Sequence, residues 1–273
     1  MGIFVWDPVT GGKQQLPPPP YPYEDLNAAV LCASDGCDHL DCHGRPFTVV
    51  FMGTSEGATA AQVSVYTSET GAWSEPASIQ LAGDSMVLAT PRTLARGALY
   101  FNLGNCILKY DPQHGQALSV IEPPSCFPDM GYTEDAILIV GEDGELGVAS
   151  VQGHSIHLWS RQIVASSGNV EWVLRRVIGP DRLITIVTND SSTELSVVGF
   201  AEGTSTIFIS TNAGTFAFAV KSGQSMLKPN CNCEWGTRGR SDPIHHLELA
   251  PMGILDDWDN LLIEDDFCLE DVQ

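Results

Sequence analysis

The stretch SVYTSETGAWSEPASI, residues 64 to 79, decides how the chain is read. It opens as a strand with an aromatic at Tyr66 and turns through a polar segment ending in Gly71. A second short strand follows and runs into Pro76. A polar turn with glycine at its end suits a tight β-hairpin, because glycine takes the positive φ that such turns need.

The same plan recurs four more times. It appears in VWDPVTGGKQQLPPPP (5–20), LKYDPQHGQALSVIEPP (108–124), LWSRQIVASSGNVEWVLRRVI (158–178) and FAFAVKSGQSMLK (216–228). The turn glycines are Gly11, Gly71, Gly115, Gly168 and Gly223, spaced 44 to 60 residues apart. Propeller blades repeat every ~40–50 residues, and loop insertions lengthen that period. The aromatic before each turn is suited to fill the wedge between neighbouring blades. Prolines follow the second strand in three of the five segments and would end it by removing a ladder donor.

Further strands lie between these marks: PFTVVFMG (46–53), GALYFNL (97–103), RLITIVTN (182–189), ELSVVGFAEG (194–203) and TIFIST (206–211). AILIVGEDGELGVASV (136–151) reads as a hairpin. Helical periodicity is almost absent before residue 229. The fold class is therefore all-β, a propeller over residues 1–228. Residues 229–273 carry eleven acids against two bases and read as an irregular acidic tail, disordered or weakly helical, with Ile254, Trp258, Leu261 and Leu262 at helical spacing.

Charge narrows the partners. Thirty-four acids against 13 bases give a net charge of −21 in 273 residues. Such a surface repels phosphate backbones and anionic headgroups, so nucleic acid and membrane are excluded as partners and a basic protein or peptide is favoured. No secretory signal or apolar span is visible. The expected location is cytoplasmic or nuclear, where the eight cysteines would be mostly thiols.

CASDGCDHLDCHG (32–44) concentrates chemistry-bearing residues. Cys37, His39, Cys42 and His43, with Cys32, are the metal-ligand candidates. Their spacing, Cys-x4-Cys-x-His-x2-Cys-His within one loop, lacks the two separated pairs of a zinc knuckle. The preferred reading is a polar turn between two strands, with Asp35, Asp38 and Asp41 as turn residues. Other motifs reduce to turns. Gly53-Thr54-Ser55-Glu56-Gly57 matches a nucleophile elbow but is followed by a strand, not a helix. Gly141, Gly144 and Gly147 are spaced like a phosphate loop, but the acids between them would repel phosphate. Pro17–Pro20 reads as a strand exit rather than a polyproline ligand. No catalytic residue, resident metal or cofactor is expected.

Several of these segments together resemble plant F-box proteins, in which a kelch-like propeller follows the F-box. They are VWDPVTG…LPPPP, AAVLCASDGCDHLDCHGRPFTVVFMG, VYTSETGAWSEPASI, GALYFNLGNCILKYD and GVASVQGHSIHLWSR, in matching order. The resemblance covers about residues 5–225. It implies a non-catalytic role: the propeller holds a target protein while an F-box docks on the adaptor of a cullin-type ubiquitin ligase. The first blade mark here begins at Trp6-Asp7, so adaptor binding would require an F-box supplied upstream, and ring closure is left open by the sequence. Two further readings stand beside this one. One is a metal-binding protein or metalloenzyme centred on Cys37, His39 and Cys42. The other is a non-functional truncated product.

Overall fold

In a computed structural model, the described residues are 3–7, 10–21, 25–34, 37, 42–54, 59–82, 85, 87–88, 90–114, 117–124, 136–141, 143–164, 168–179, 183, 195–201, 204–212, 214–222, 225–227 and 248–249. Among them every regular element is a strand. No helix among them is long and apolar enough to cross a membrane.

The strands form five sheets that follow one another along the chain. Blade I holds β1 (Ile3–Trp6) and β2 (Lys13–Leu16). Blade II holds β3 (Asp25–Cys32), β4 (Phe47–Thr54), β5 (Ala60–Thr67), β6 (Ala72–Trp73) and β7 (Ala77–Gln80). Blade III holds β8 (Thr93–Ala95), β9 (Ala98–Asn102), β10 (Ile107–Asp111) and β11 (Ala117–Ile121). Blade IV holds β12 (Ala136–Val140), β13 (Leu146–Gln152), β14 (Ser155–Ile163) and β15 (Val170–Ile178). Blade V holds β16 (Leu195–Ala201), β17 (Thr206–Thr211), β18 (Gly214–Ala219) and β19 (Ser225–Leu227). Within blades II to V each strand pairs antiparallel with the one before it, except that β6 and β7 both pair with β5. A short strand β20 (Glu248–Leu249) runs parallel to β1. The arrangement is propeller-like, with four full blades and a blade I in which β1 lies between β2 and β20.

Each strand of a blade interior has two buried faces, and this stacks the blades. In β4, Val49 and Phe51 pack toward blade I, while Val50 and Met52 pack toward blade III. In β9, Leu99 and Phe101 face blade II, and Ala98 and Tyr100 face blade IV. In β12, Ala136 and Leu138 face blade III, and Ile137 and Ile139 face blade V. Alternation along a strand thus sends successive residues to opposite neighbours. This is why these strands read as continuous apolar runs rather than as alternating ones. The first strands β8, β12 and β16 lie beside one another, whereas the last strands β2, β11 and β15 are largely exposed at the rim.

The five look-alike segments are the last hairpin of their blades: β1–β2, β5–β6, β10–β11, β14–β15 and β18–β19. Three of the turn glycines are described, and they share one geometry. Gly11, Gly71 and Gly168 have φ of 69°, 66° and 71°. Each donates its N–H to the carbonyl four residues earlier, on Asp7, Thr67 and Val164. Gly115 and Gly223 lie outside the described residues, as do most of RLITIVTN and nearly all of 229–273. The three-glycine segment is the β12–β13 turn, as expected, with Val140 opposite Leu146.

One expectation changes in blade II. Pro76 does not end the last strand; it interrupts it. Ser74 donates its N–H to the Val65 carbonyl and accepts the Val65 N–H on its hydroxyl, after which β7 rejoins the ladder at Ala77. The Ser74 hydroxyl thus serves as the acceptor for the Val65 N–H where the ladder is interrupted, and Pro76 has no N–H to donate.

Gly147 is required for a close approach rather than a turn. A Cβ there would lie 2.8 Å from the Trp159 carbonyl oxygen and 2.9 Å from Ile139 Cγ1. Gly147→Ala is expected to lower the unfolding free energy by about 1–3 kcal/mol through overpacking, read from the urea midpoint.

Candidate functional site

In three of the five repeats the aromatic before the turn has the same place. Tyr66 packs in the core between blades I and II, Tyr110 between II and III, and Phe218 between IV and V. Each stands five residues before its turn glycine in the sequence. In blade IV that position is Ile163, and the ring that packs against blade III is Trp159 instead. The β14–β15 hairpin therefore runs four residues farther before it turns, about 13 Å at the rise of a strand. Burial of Tyr110 pushes its hydroxyl up to about 12, so this wedge residue stays neutral at ordinary pH.

The extension carries apolar surface into solvent. Ile163 is 70% exposed and its cross-strand partner Val170 is 48% exposed. Leu174 and Val177 on β15 are also exposed, and Val120 on the rim strand of blade III lies in the same class. Among the described residues only Phe4 joins them as an exposed large hydrophobic residue. Two arginines of β15 tie the hairpin to its surroundings. Arg175 donates to the Gln162 side-chain oxygen across the hairpin, and Arg176 donates to the Val220 carbonyl of blade V. Between Leu158 and Trp159 the register shifts, leaving Arg175 as the extra residue of a bulge.

Two tryptophans missed by sequence reasoning clip the rim. Trp73 Nε1 donates to the Pro17 carbonyl at 2.9 Å, and Trp172 Nε1 donates to the Glu122 carbonyl at 2.8 Å. In both cases a tryptophan on the last strand of one blade holds the exit of the preceding blade just before a proline. The signal was present in the sequence as a tryptophan soon after the turn glycine, in a chain where a proline run follows the preceding repeat.

Polar contacts join neighbouring loops. His43 Nδ1 lies 2.8 Å from Asp7, linking blade II to the blade I turn. Arg96 reaches Glu145 at 2.8 Å, linking III to IV. Within blade III, hydrogen bonds from His114 and from Lys109, at 3.0 Å each, lower the Asp111 carboxyl to about 2.

The structure divides the metal-ligand candidates. Cys32 ends β3 opposite Phe47, so the two ends of the segment between β3 and β4 lie side by side. This brings the Sγ atoms of Cys32, Cys37 and Cys42 within 4.8 Å of one another. Cys37 and Cys42 are 3.5 Å apart. His43 is turned away to Asp7, and His39 and the three turn aspartates lie outside the described residues. The thiols differ in acidity. Burial acts to raise Cys32, but hydrogen bonds from the Ser34 backbone, Cys37 and Cys42 outweigh it and lower the thiol to about 7. Cys42 is pushed up to about 12 by burial and by its hydrogen bonds to Cys37 and Cys32.

The described residues thus form an all-β, propeller-like stack from which one apolar hairpin tip projects. The chain is 28% identical over 177 residues to an F-box protein of Arabidopsis thaliana, a match that covers 63% of this chain and 40% of that protein. It thus spans well under half of the relative's length. No protein-family model matches. Among solved structures, a Lactobacillus plantarum protein aligns with a TM-score of 0.41 and 14% identity over 67% of this chain and 53% of that one. The extracellular domain of a one-component system from B. thetaiotaomicron aligns with a TM-score of 0.37 and 17% identity over 65% and 20%.

Two outcomes follow from this geometry. Trp73→Phe and Trp172→Phe each remove one indole donor and should cost about 0.5–1 kcal/mol, adding in the double variant because the sites are distant; urea unfolding reads both. Asp111 has a folded-state pKa below its unfolded value, so its stabilising effect is complete above about pH 4 and is lost as the pH falls toward about 2. Carbon-13 NMR of the carboxyl should give a midpoint near pH 2, moving upward in His114→Ala.

Proposed function

We propose that this chain is the target-binding region of an F-box-type subunit of a cullin ubiquitin ligase, a kelch-like propeller without catalytic activity of its own. Residues 1–228 form the binding unit and 229–273 an acidic tail. The site of action is cytoplasmic or nuclear, and the adaptor is engaged through an F-box supplied upstream.

The observation that carries this reading is the β14–β15 tip, where Ile163 and Val170 stand paired and exposed on a braced hairpin. Apolar side chains fixed in solvent on a rigid scaffold suit recognition of another polypeptide. The similarity to an F-box protein supports the choice of pathway. The target is a protein with an apolar patch and a basic surround, matched to a chain of net charge −21.

A photo-crosslinking residue placed at 163, in the chain fused behind an F-box, should capture one target protein together with the ligase adaptor. Ile163→Asp with Val170→Asp should weaken the target about tenfold or more, as loss of an interface hot spot does, while adaptor recovery is unchanged. Recovery of neither a ligase subunit nor a specific target would overturn the reading.

A further inference from the structure

We propose that Cys32, Cys37 and Cys42 form a three-thiolate site for one zinc ion, which pins the 33–46 loop to the end of β3.

The geometry is that of a site already assembled. Zinc–thiolate bonds of about 2.3 Å in a tetrahedron place sulfurs about 3.8 Å apart. Here all three sulfurs lie within 4.8 Å of one another, with Cys37 and Cys42 at 3.5 Å. Side-chain rotations that shift sulfurs by up to about 1 Å bring the trio to ligating distance.

The backbone explains why residues so unevenly spaced converge. Cys32 is fixed by its pairing with Phe47, and Ala33 donates to the Pro46 carbonyl at 2.9 Å, so the two loop ends are clamped. Cys37 donates to the Ser34 carbonyl at 3.4 Å, which folds the loop back over Cys32. Arg45 donates to the Cys42 carbonyl at 3.2 Å, and Gly44 takes a φ of 67°, which turns the chain into β4 just after Cys42.

All three thiols are half-buried rather than exposed, and Cys106, the other described cysteine, is buried apart from them beside Ser85. Soft thiolates clustered in this way select zinc over hard cations such as magnesium or calcium. Three protein ligands leave the fourth tetrahedral position for an added ligand. His43 is not needed, because Asp7 holds its ring.

The inference does not rest on the ligase reading. It assigns the site a structural role. The metal would fix the loop that reaches from blade II to the turn of blade I, through the His43–Asp7 contact.

The test uses the whole chain, purified under reducing conditions without chelator. Elemental analysis should find one zinc per chain. Cobalt(II) added to the stripped protein should give thiolate charge-transfer bands and the visible bands of a tetrahedral site, saturating at one equivalent and bleached by zinc. Cys32→Ser with Cys42→Ser should abolish both signals, and His43→Gln should keep them. Zinc should also slow cleavage by a protease that cuts before aspartate, which has sites at Asp35, Asp38 and Asp41. The cobalt titration of the unmodified chain decides the matter even where the double variant folds poorly. A chain that takes up no cobalt when fully reduced, a double variant that keeps the metal, or a Cys37–Cys42 disulfide as the resting state would each overturn the proposal.

Discussion

The fold depends on strands that are buried on both faces. A blade cannot cover itself: β4, β9 and β12 each present apolar side chains to two different neighbours, so every sheet is half of two cores. Removing water from both faces supplies the main driving force, and the alternation of side chains makes the two contacts compatible. Polar groups cross the same interfaces without breaking them. Buried Asn27 donates to the carbonyls of Leu88 and Thr90, which lead into blade III, and buried Asn102 donates to the Ala136 carbonyl of blade IV. These amides satisfy backbone groups at the points where the chain passes from one sheet to the next, and an unsatisfied carbonyl there would be costly.

Much of this was legible in the sequence. The five glycine-marked segments and the all-β class follow from strand composition and turn chemistry, which act over a few residues. Tyr66, Tyr110 and Phe218 before their turns pack between blades as their size suggested. What could not be read was how each repeat departs from the plan. Ile163 occupies the place of Tyr66, but only the register of β14 with β15 shows that Trp159 has taken over the wedge and that the hairpin runs on. Pro76 looked like a strand end, and only the Ser74 side chain reveals that the ladder resumes.

The cysteine loop shows the same limit more sharply. Spacing rules for zinc sites assume short pairs on knuckles. Cys32, Cys37 and Cys42 violate them because one ligand comes from a strand end and the others from the loop it opens. Convergence here is set by the pairing of Cys32 with Phe47, a contact between residues separated by the whole loop. His43, adjacent in sequence, points elsewhere because a neighbouring blade offers it a carboxylate.

The bulge at Arg175 has a consequence for how such a scaffold can diversify. Because side chains alternate with a period of two, a single extra residue on β15 exchanges the sides that all residues toward the tip present. Deleting or moving it would turn the exposed Val170 and Leu174 to the opposite flank and would carry Trp172 off its contact with the Glu122 carbonyl. A one-residue insertion in this rim strand thus re-aims the side chains of the tip while the pairing of β13 with β14 keeps its register.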